Sequence, residues 1–297
     1  MSESALLTTA SHQVEPVDMA VAPARIGRLA IRSLYREAAL APKPGLVCPD
    51  SVGSHDDMDF VTFVRSLHAL RDYFPAIAEC GLQAPALAPL QALGIAAEQR
   101  MLTATGGVNT HRGAIFNLGL LCAASGLLAA TGEKLEAAAV CRMVSERWGR
   151  EILDGLAAST AADAASHGLI VARRYGCGGA RQEAAAGFPA ALELGLPAYR
   201  RILTETGDSE RAAIQALFTL MAGLDDSNLL WRGGRQGLSF GRQLAAGFLA
   251  VGGVLAADWR AHAVAIDRAF VARRLSPGGS ADLLGVTLFL AEVDGLY

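Results

Sequence analysis

Residues 113–132 read GAIFNLGLLCAASGLLAATG, a run without a single formal charge. It is about as long as the 20 apolar residues that span a bilayer. Asn117, Ser125, Thr131 and four glycines dilute it, however, and it lacks flanking aromatic anchors and a basic loop. A helix that is apolar on every side is better housed inside other helices. We therefore expect an all-α fold, one multi-helix globular domain with this helix buried at its centre, and no membrane partner.

The segment that feeds this helix is Thr105-Gly106-Gly107-Val108-Asn109-Thr110-His111-Arg112. It reads as a glycine loop running into a helix start, where Asn109 or Thr110 can cap free N–H groups. Free N–H groups and the positive end of the helix dipole meet an imidazole and a guanidinium there, a combination suited to a phosphate. Two later stretches repeat the design, Tyr175-Gly176-Cys177-Gly178-Gly179-Ala180-Arg181 and Ser276-Pro277-Gly278-Gly279-Ser280. In the second, Ser280 is the expected cap.

Composition agrees with close helix packing: 52% of the 297 residues are hydrophobic and only 6% aromatic, with no strand-like alternation. A net charge of −3 offers no global basic field, so nucleic acid is not an expected partner. Cys48, Cys80, Cys122, Cys141 and Cys177 are scattered and odd in number, as expected of reduced thiols in a cytoplasmic chain. No secretory signal is visible. Residues 1–23 read as a mobile tail, leaving 24–297 as the domain.

Along that domain, a helix from Arg25 sets Ile26, Leu29, Ala30, Leu34 and Glu37 on one face. Glu37 thus points into an apolar stripe and must find a partner or a proton. Pro42-Lys43-Pro44-Gly45 then holds Lys43 out on a stiff loop, as a phosphate clamp would. Gly53-Ser54-His55-Asp56-Asp57-Met58-Asp59 precedes a helix from Phe60, with Ser54 and Asp57 at capping-box spacing. Its aspartates are hard oxygen ligands suited to Mg²⁺. Helices are expected near 86–104, 133–148, 151–167, 236–257 and 262–275. Another begins at Asp208 and ends at Asp225-Asp226-Ser227-Asn228, whose carboxylates at a helix carboxyl end would need a cation or Arg232 to offset the dipole. No P-loop and no strand-first dinucleotide loop is present.

Glu37 with Pro42–Val47, Gly53–His55 with Asp57–Asp59, the long run from Ala104 to Phe116, Tyr175 through Pro189, Asp226–Asn228 with Arg232–Gly234, and Ser276–Leu284 together resemble the triphosphoribosyl-dephospho-coenzyme A synthase family. The likeness covers nearly all of the chain after the tail, and is closer to the member serving malonate decarboxylase than to its citrate lyase counterpart. The resemblance implies an all-α enzyme that joins ATP to 3′-dephospho-coenzyme A, releases adenine and makes the prosthetic-group precursor of an acyl carrier subunit.

For such a reaction the inventory above assigns Glu37 and Asp57 as candidate catalytic bases. Asp57, Asp59 and Asp226 are candidates for Mg²⁺ on the triphosphate. Lys43, Gly106, Gly107, Asn109, His111, Arg112, Gly178, Arg181, Asn228, Arg232, Gly278, Gly279 and Ser280 are candidates for substrate binding. The alternatives are a Mg²⁺-dependent glycohydrolase of nucleoside or ADP-ribose bonds, the citrate lyase version of the synthase, and a helical adaptor without catalysis. A homodimer is allowed.

Overall fold

The computed structural model describes residues 22–157 and 167–296. The expected tail lies outside them except for Ala22 and Pro23, which open the first helix. The chain runs through α1 (Ala22–Ala39), α2 (Phe60–Leu70), α3 (Tyr73–Gly81), α4 (Leu87–Ala104), α5 (Arg112–Thr131), α6 (Ala137–Ala157), α7 (His167–Tyr175) and α8 (Gly179–Ala185). It continues through a π-helical turn (Ala190–Gly195), α9 (Leu196–Thr206), α10 (Ser209–Gly223), α11 (Ser227–Ala250), a 3₁₀ turn (Gly253–Leu255), α12 (Trp259–Ala272) and α13 (Gly278–Val293). Among the described residues there is no strand, only an isolated bridge between Cys48 and Ser51.

The uncharged helix is α5, and it is the centre of the fold. Helices α1, α3, α4, α6, α8 and α13 all pack on it. Among the described residues it alone is long and apolar enough to cross a membrane, yet 78% of its most apolar window is buried inside the protein. The glycines that dilute it explain how. A Cβ on Gly126 would sit 2.0 Å from the carbonyl oxygen of Ala78, and one on Gly81 would sit 2.1 Å from that of Ala123. The backbones of α3 and α5 therefore touch, and only glycine permits it. Tyr73 occupies the space above Gly119, and its hydroxyl donates to the Ile115 carbonyl at 3.0 Å.

A second nearly all-apolar helix, α13, packs against α1, α5, α9, α10 and α11. Its buried Glu292 accepts hydrogen bonds from Arg32 and from Arg36 of α1, the latter at 3.1 Å, and Arg36 also donates to the Tyr199 hydroxyl at 2.7 Å. Arg32, still half exposed, and Arg36 thus tie α1 to α13.

Several boundaries differ from expectation. Helix α6 runs unbroken through Trp148 and Glu151, because nothing there stops it; the rest of the expected 151–167 helix, up to 166, lies outside the described residues. Helix α11 begins at Ser227, not near 236, and bends at Gly234, whose φ of 60° interrupts it. All five cysteines are free, and all but the partly buried Cys80 lie in the interior.

Candidate active site

Gly45, at a φ of +66°, packs so closely on the Leu275 carbonyl that a Cβ would lie 2.1 Å from its oxygen, and its N–H donates to Asp267 Oδ1 at 2.8 Å. The proline-stiffened loop is thereby pinned to the end of α12, with Lys43 turned inward. Its Nζ donates to the Glu37 carbonyl and to Glu37 Oε1, both at 2.7 Å. The two side chains are only 1% and 7% exposed. This corrects the expectation of an outstretched clamp: the prolines set stiffness, while the Gly45 contacts set direction. It also gives Glu37 the partner that a carboxylate in an apolar stripe requires.

Next to this ion pair, helix amino termini meet. Asp226 is not at an unfavourable helix end but is the N-cap of α11, its Oδ1 accepting from Asn228 N at 2.9 Å and Leu229 N at 3.2 Å. It also ties α11 to α13, accepting from Gly279 N at 3.4 Å, Ser280 N at 2.7 Å and Ser280 Oγ at 2.8 Å. Ser280 therefore sits within the first turn of α13 as a donor to Asp226, not as its cap. Burial nevertheless raises the Asp226 pKa, against the lowering effect of these donors.

From the same turn of α13, Asp282 reaches the start of α5: a Cβ on Gly113 would lie 1.9 Å from Asp282 Oδ2. Glycines shape the other contacts too. A Cβ on Gly279 would lie 3.2 Å from the Asp226 carboxyl, and one on Gly278 would lie 2.8 Å from Asn228 Nδ2. The amino-terminal turns of α5, α11 and α13 thus converge, and their dipoles set partial positive charge around a buried group of carboxylates. Among the described residues Asp282 has no hydrogen bond or ion pair of its own. Burial, then the neighbouring Glu37 and Asp226 charges, push its carboxyl up to about 8.

His111 stands where α5 begins. Its Nδ1 is 2.6 Å from Ser66 Oγ, Phe63 packs edge-on to the ring, and its buried Nε2 has no partner among the described residues. Burial, helped by the Lys43 charge, lowers its pKa to about 3, so the ring is neutral. It can offer a phosphate a hydrogen bond but not the charge expected of it. Arg112 turns outward to Glu98, and Asn109 Oδ1 caps the Arg112 N–H at 3.1 Å. Gly106 and Gly107 are exposed at φ values of +68° and +91°, with nothing within 4 Å of where a Cβ would be. Their open backbone is compatible with close approach of a ligand.

A more exposed group lies beside this centre. Arg232 donates to the Ser54 carbonyl at 2.9 Å, the Arg274 carbonyl at 3.2 Å and His55 Nδ1 at 3.3 Å. A guanidinium can only donate, so Nδ1 is an acceptor and the His55 Nε2–H donates to Ser276 Oγ at 3.0 Å. Burial, followed by the Arg232 charge, lowers the His55 pKa accordingly. Asp57 is largely exposed, 3.8 Å from His55. The capping box belongs to Asp59 with Thr62, not to Ser54 with Asp57, because Asp59 is the residue at the helix boundary.

These placements bear on the proposed metal ligands. Both Asp226 oxygens are taken by N–H and O–H donors, Asp59 gives Oδ1 to its cap, and among the described residues no group of three or more His, Cys, Asp or Glu could hold a metal ion. The trio Asp57, Asp59 and Asp226 does not assemble as a resident metal site.

On the remaining side, Cys177 Sγ donates to the Asp225 carbonyl at 3.0 Å, and Gly179 lies against Ser227. The 176–183 segment therefore borders the α11 start. Gly178 leaves space for Gln182, and Arg181 is half-buried in α8. A cavity of about 700 Å³ between α2, α3 and α4 is lined by none of the convergent residues.

Sequence reasoning misses Asp282, together with Ser66 and Phe63, which hold His111. The signal for Asp282 is the one that marks Glu37: a carboxylate set beside the apolar residues of a helix that packs in the interior.

Residues 23–297 match a family model described as ATP:dephospho-CoA triphosphoribosyl transferase. The chain is 43% identical to the "Probable 2-(5''-triphosphoribosyl)-3'-dephosphocoenzyme-A synthase" of Acinetobacter calcoaceticus, with 97% of both chains covered. It is 42% identical to the "2-(5''-triphosphoribosyl)-3'-dephosphocoenzyme-A synthase" of Klebsiella pneumoniae, covering 92% of this chain and 96% of the relative. It is 38% identical to a similarly named Vibrio cholerae protein, covering 93% of this chain and 90% of that one. No solved structure matches.

Proposed function

Since the chain belongs to the ATP:dephospho-CoA triphosphoribosyl transferase family, we propose that it transfers the triphosphoribosyl group of ATP to the ribose 2′-hydroxyl of 3′-dephospho-coenzyme A. The observation that carries this reading onto the residues is the meeting of the α5, α11 and α13 amino termini around the Glu37–Lys43 pair. Positive helix ends and the open backbone at Gly106 and Gly107 suit a polyphosphate, and buried carboxylates suit proton transfer.

The bond from C1′ of the ATP ribose to adenine N9 breaks with its electron pair going to adenine. A bond forms from C1′ to the acceptor 2′-oxygen, and the ring passes through oxocarbenium character as in glycoside transfer. Buried carboxylates favour that positive charge electrostatically. Lys43 has three N–H donors, and two serve Glu37, leaving the third for a substrate oxygen. Glu37 keeps its place in the centre as the counter-ion that fixes Lys43.

Gly106, Gly107, Asn109 and Arg112 ahead of α5, Gly178 and Arg181 at α8, and Asn228, Arg232, Gly278 and Gly279 near the starts of α11 and α13 are the groups we assign to the two substrates; Ser280, fully buried with its N–H and O–H both given to Asp226, is not among them. His111 contributes a neutral hydrogen-bonding edge. We treat Mg²⁺ as part of the substrate, arriving on the triphosphate, because one or two carboxylates complete such a shell. Asp57, accessible beside Arg232, is our choice to meet it.

On the closer likeness of its motifs, we assign the product to the acyl carrier subunit of malonate decarboxylase, in the cytoplasm. The decisive experiment is incubation with ATP, Mg²⁺ and dephospho-coenzyme A, read by mass spectrometry. The adduct should form with one adenine per turnover, and adenine should not appear without the acceptor. Adenine release to water alone would make the protein a glycohydrolase and overturn the reading.

A further inference from the structure

We propose that Asp282 is a catalytic residue of this centre, the group that takes the proton from the acceptor hydroxyl as the new glycosidic bond forms. The inference rests on the transferase reading above and adds to it the identity of the base.

The buried carboxyls of the centre are not equivalent. Glu37 Oε1 is held by Lys43, and both Asp226 oxygens are filled by N–H and O–H donors from α11 and α13. Their lone pairs are committed to holding the fold. Asp282 accepts nothing from the described residues and, unlike Asp226, retains some accessible surface. A carboxylate has about four lone-pair sites. To hold such a carboxyl among buried charges with no protein donor costs stability, and natural chains retain such groups where chemistry needs them.

The position is also built. A Cβ at residue 113 would overlap the carboxyl, and the first turn of α5 lies directly behind it. The carboxyl is therefore lodged between two helix starts. Nearby stands the buried Nε2 of His111, a second polar atom without a partner among the described residues. A buried imidazole nitrogen without a partner and a partly accessible carboxyl that no protein donor holds, with Lys43 paired beside them, describe a centre completed by something other than protein.

The charged and titratable groups facing Asp282 are Glu37, with its partner Lys43, and Asp226. His111 is neutral and does not add charge. With burial, the two carboxylates hold Asp282 protonated below about 8. In the working direction the ionised carboxylate receives the 2′-hydroxyl proton. The oxygen's freed pair bonds to C1′ as adenine departs with the old bonding pair. Adenine then takes a proton from water, and Asp282 returns its own to solvent, so charge and atoms balance.

The test uses Asp282→Asn in the full chain, with adenine release and adduct formation measured from pH 6 to 9. The wild-type rate should rise with pH through about 8 as Asp282 ionises. In the variant kcat should fall about 10²- to 10⁴-fold and lose that rise, while both substrates still bind. Removal of a buried, unpaired acid should also raise the melting temperature at pH 8. A residue that merely supports the fold would give a lower one.

A kcat within threefold of wild type, or a pH profile unchanged by the substitution, overturns the proposal. In wild-type protein, a carboxylic C=O infrared band titrating near pH 8, and absent from Asp282→Asn, is the independent readout; a band that persists in the variant also refutes the assignment. Should wild-type protein make no adduct at all, the transferase reading fails and not this refinement of it.

Discussion

Replacing Lys43 by Met isolates the ion pair at the heart of the site. Methionine roughly preserves the length and apolar volume of the lysine stem but removes both 2.7 Å bonds to Glu37. The Glu37 carboxylate then stays buried, in an interior that already holds Asp226 and Asp282. Removing one partner of a buried pair costs about 3–5 kcal/mol, because the other charge is left uncompensated. The neighbouring acids argue for the upper half of that range.

For a chain of this size, at roughly 2 °C per kcal/mol, the melting temperature should fall by about 8–10 °C near pH 7.5. The orphaned carboxylate can escape by binding a proton. Its pKa in the folded variant then lies above its unfolded value, so the variant loses stability as pH rises and the deficit shrinks towards pH 5. The double variant Glu37→Gln with Lys43→Met should recover about 2 kcal/mol relative to Lys43→Met, and urea titrations of it and of Glu37→Gln alone give the coupling energy. A Lys43→Met protein within about 1 kcal/mol of wild type at pH 7.5, with no coupling in the cycle, would refute the account of how this loop is held.

Other substitutions probe separate parts of the molecule. Arg112→Ala removes an exposed pair with Glu98, so stability should change by less than about 1 kcal/mol while adenine release falls severely; normal release would take Arg112 out of the site. Gly113→Ala would usually stabilise a helix by about 0.5–1 kcal/mol. Here its Cβ falls on the Asp282 carboxyl, and we expect kcat to drop more than about tenfold with helical circular dichroism unchanged; full activity would contradict the packing described. Gly81→Ala forces a Cβ onto the Ala123 carbonyl and should cost about 1–3 kcal/mol by chemical denaturation, whereas a neutral effect would mean that α3 and α5 do not touch backbone to backbone.

The helical architecture was legible because helix-compatible apolar runs alternate with capping residues and glycines, and nothing alternates as a strand does. Glu37 stands out from periodicity alone. What one-dimensional reasoning does not reach is direction. Prolines announce that the Lys43 loop is stiff, but only the packing of Gly45 on Leu275 turns the ammonium inward. Asp226 suits the end of one helix and the start of the next equally well; its donors Gly279 and Ser280, far along the chain, decide between them. The glycines of 276–280 draw attention to phosphate binding and away from Asp282 two residues later. Yet two of those glycines make room for side chains, Asp226 and Asn228, while the open backbone lies at Gly106 and Gly107.

The close approach of α3 to α5 has a mechanical consequence for chemistry at a distance. From Gly126 to Gly113 the helix advances roughly 20 Å. A close-packed rod gripped at one end, where the Ala78 carbonyl oxygen presses on Gly126, can neither slide nor roll without losing that grip. The far end of the molecule therefore acts as the datum from which Gly113, and the carboxyl wedged against it, are positioned. A small side chain added at Gly126 would be felt as misalignment of reacting atoms some thirteen residues away.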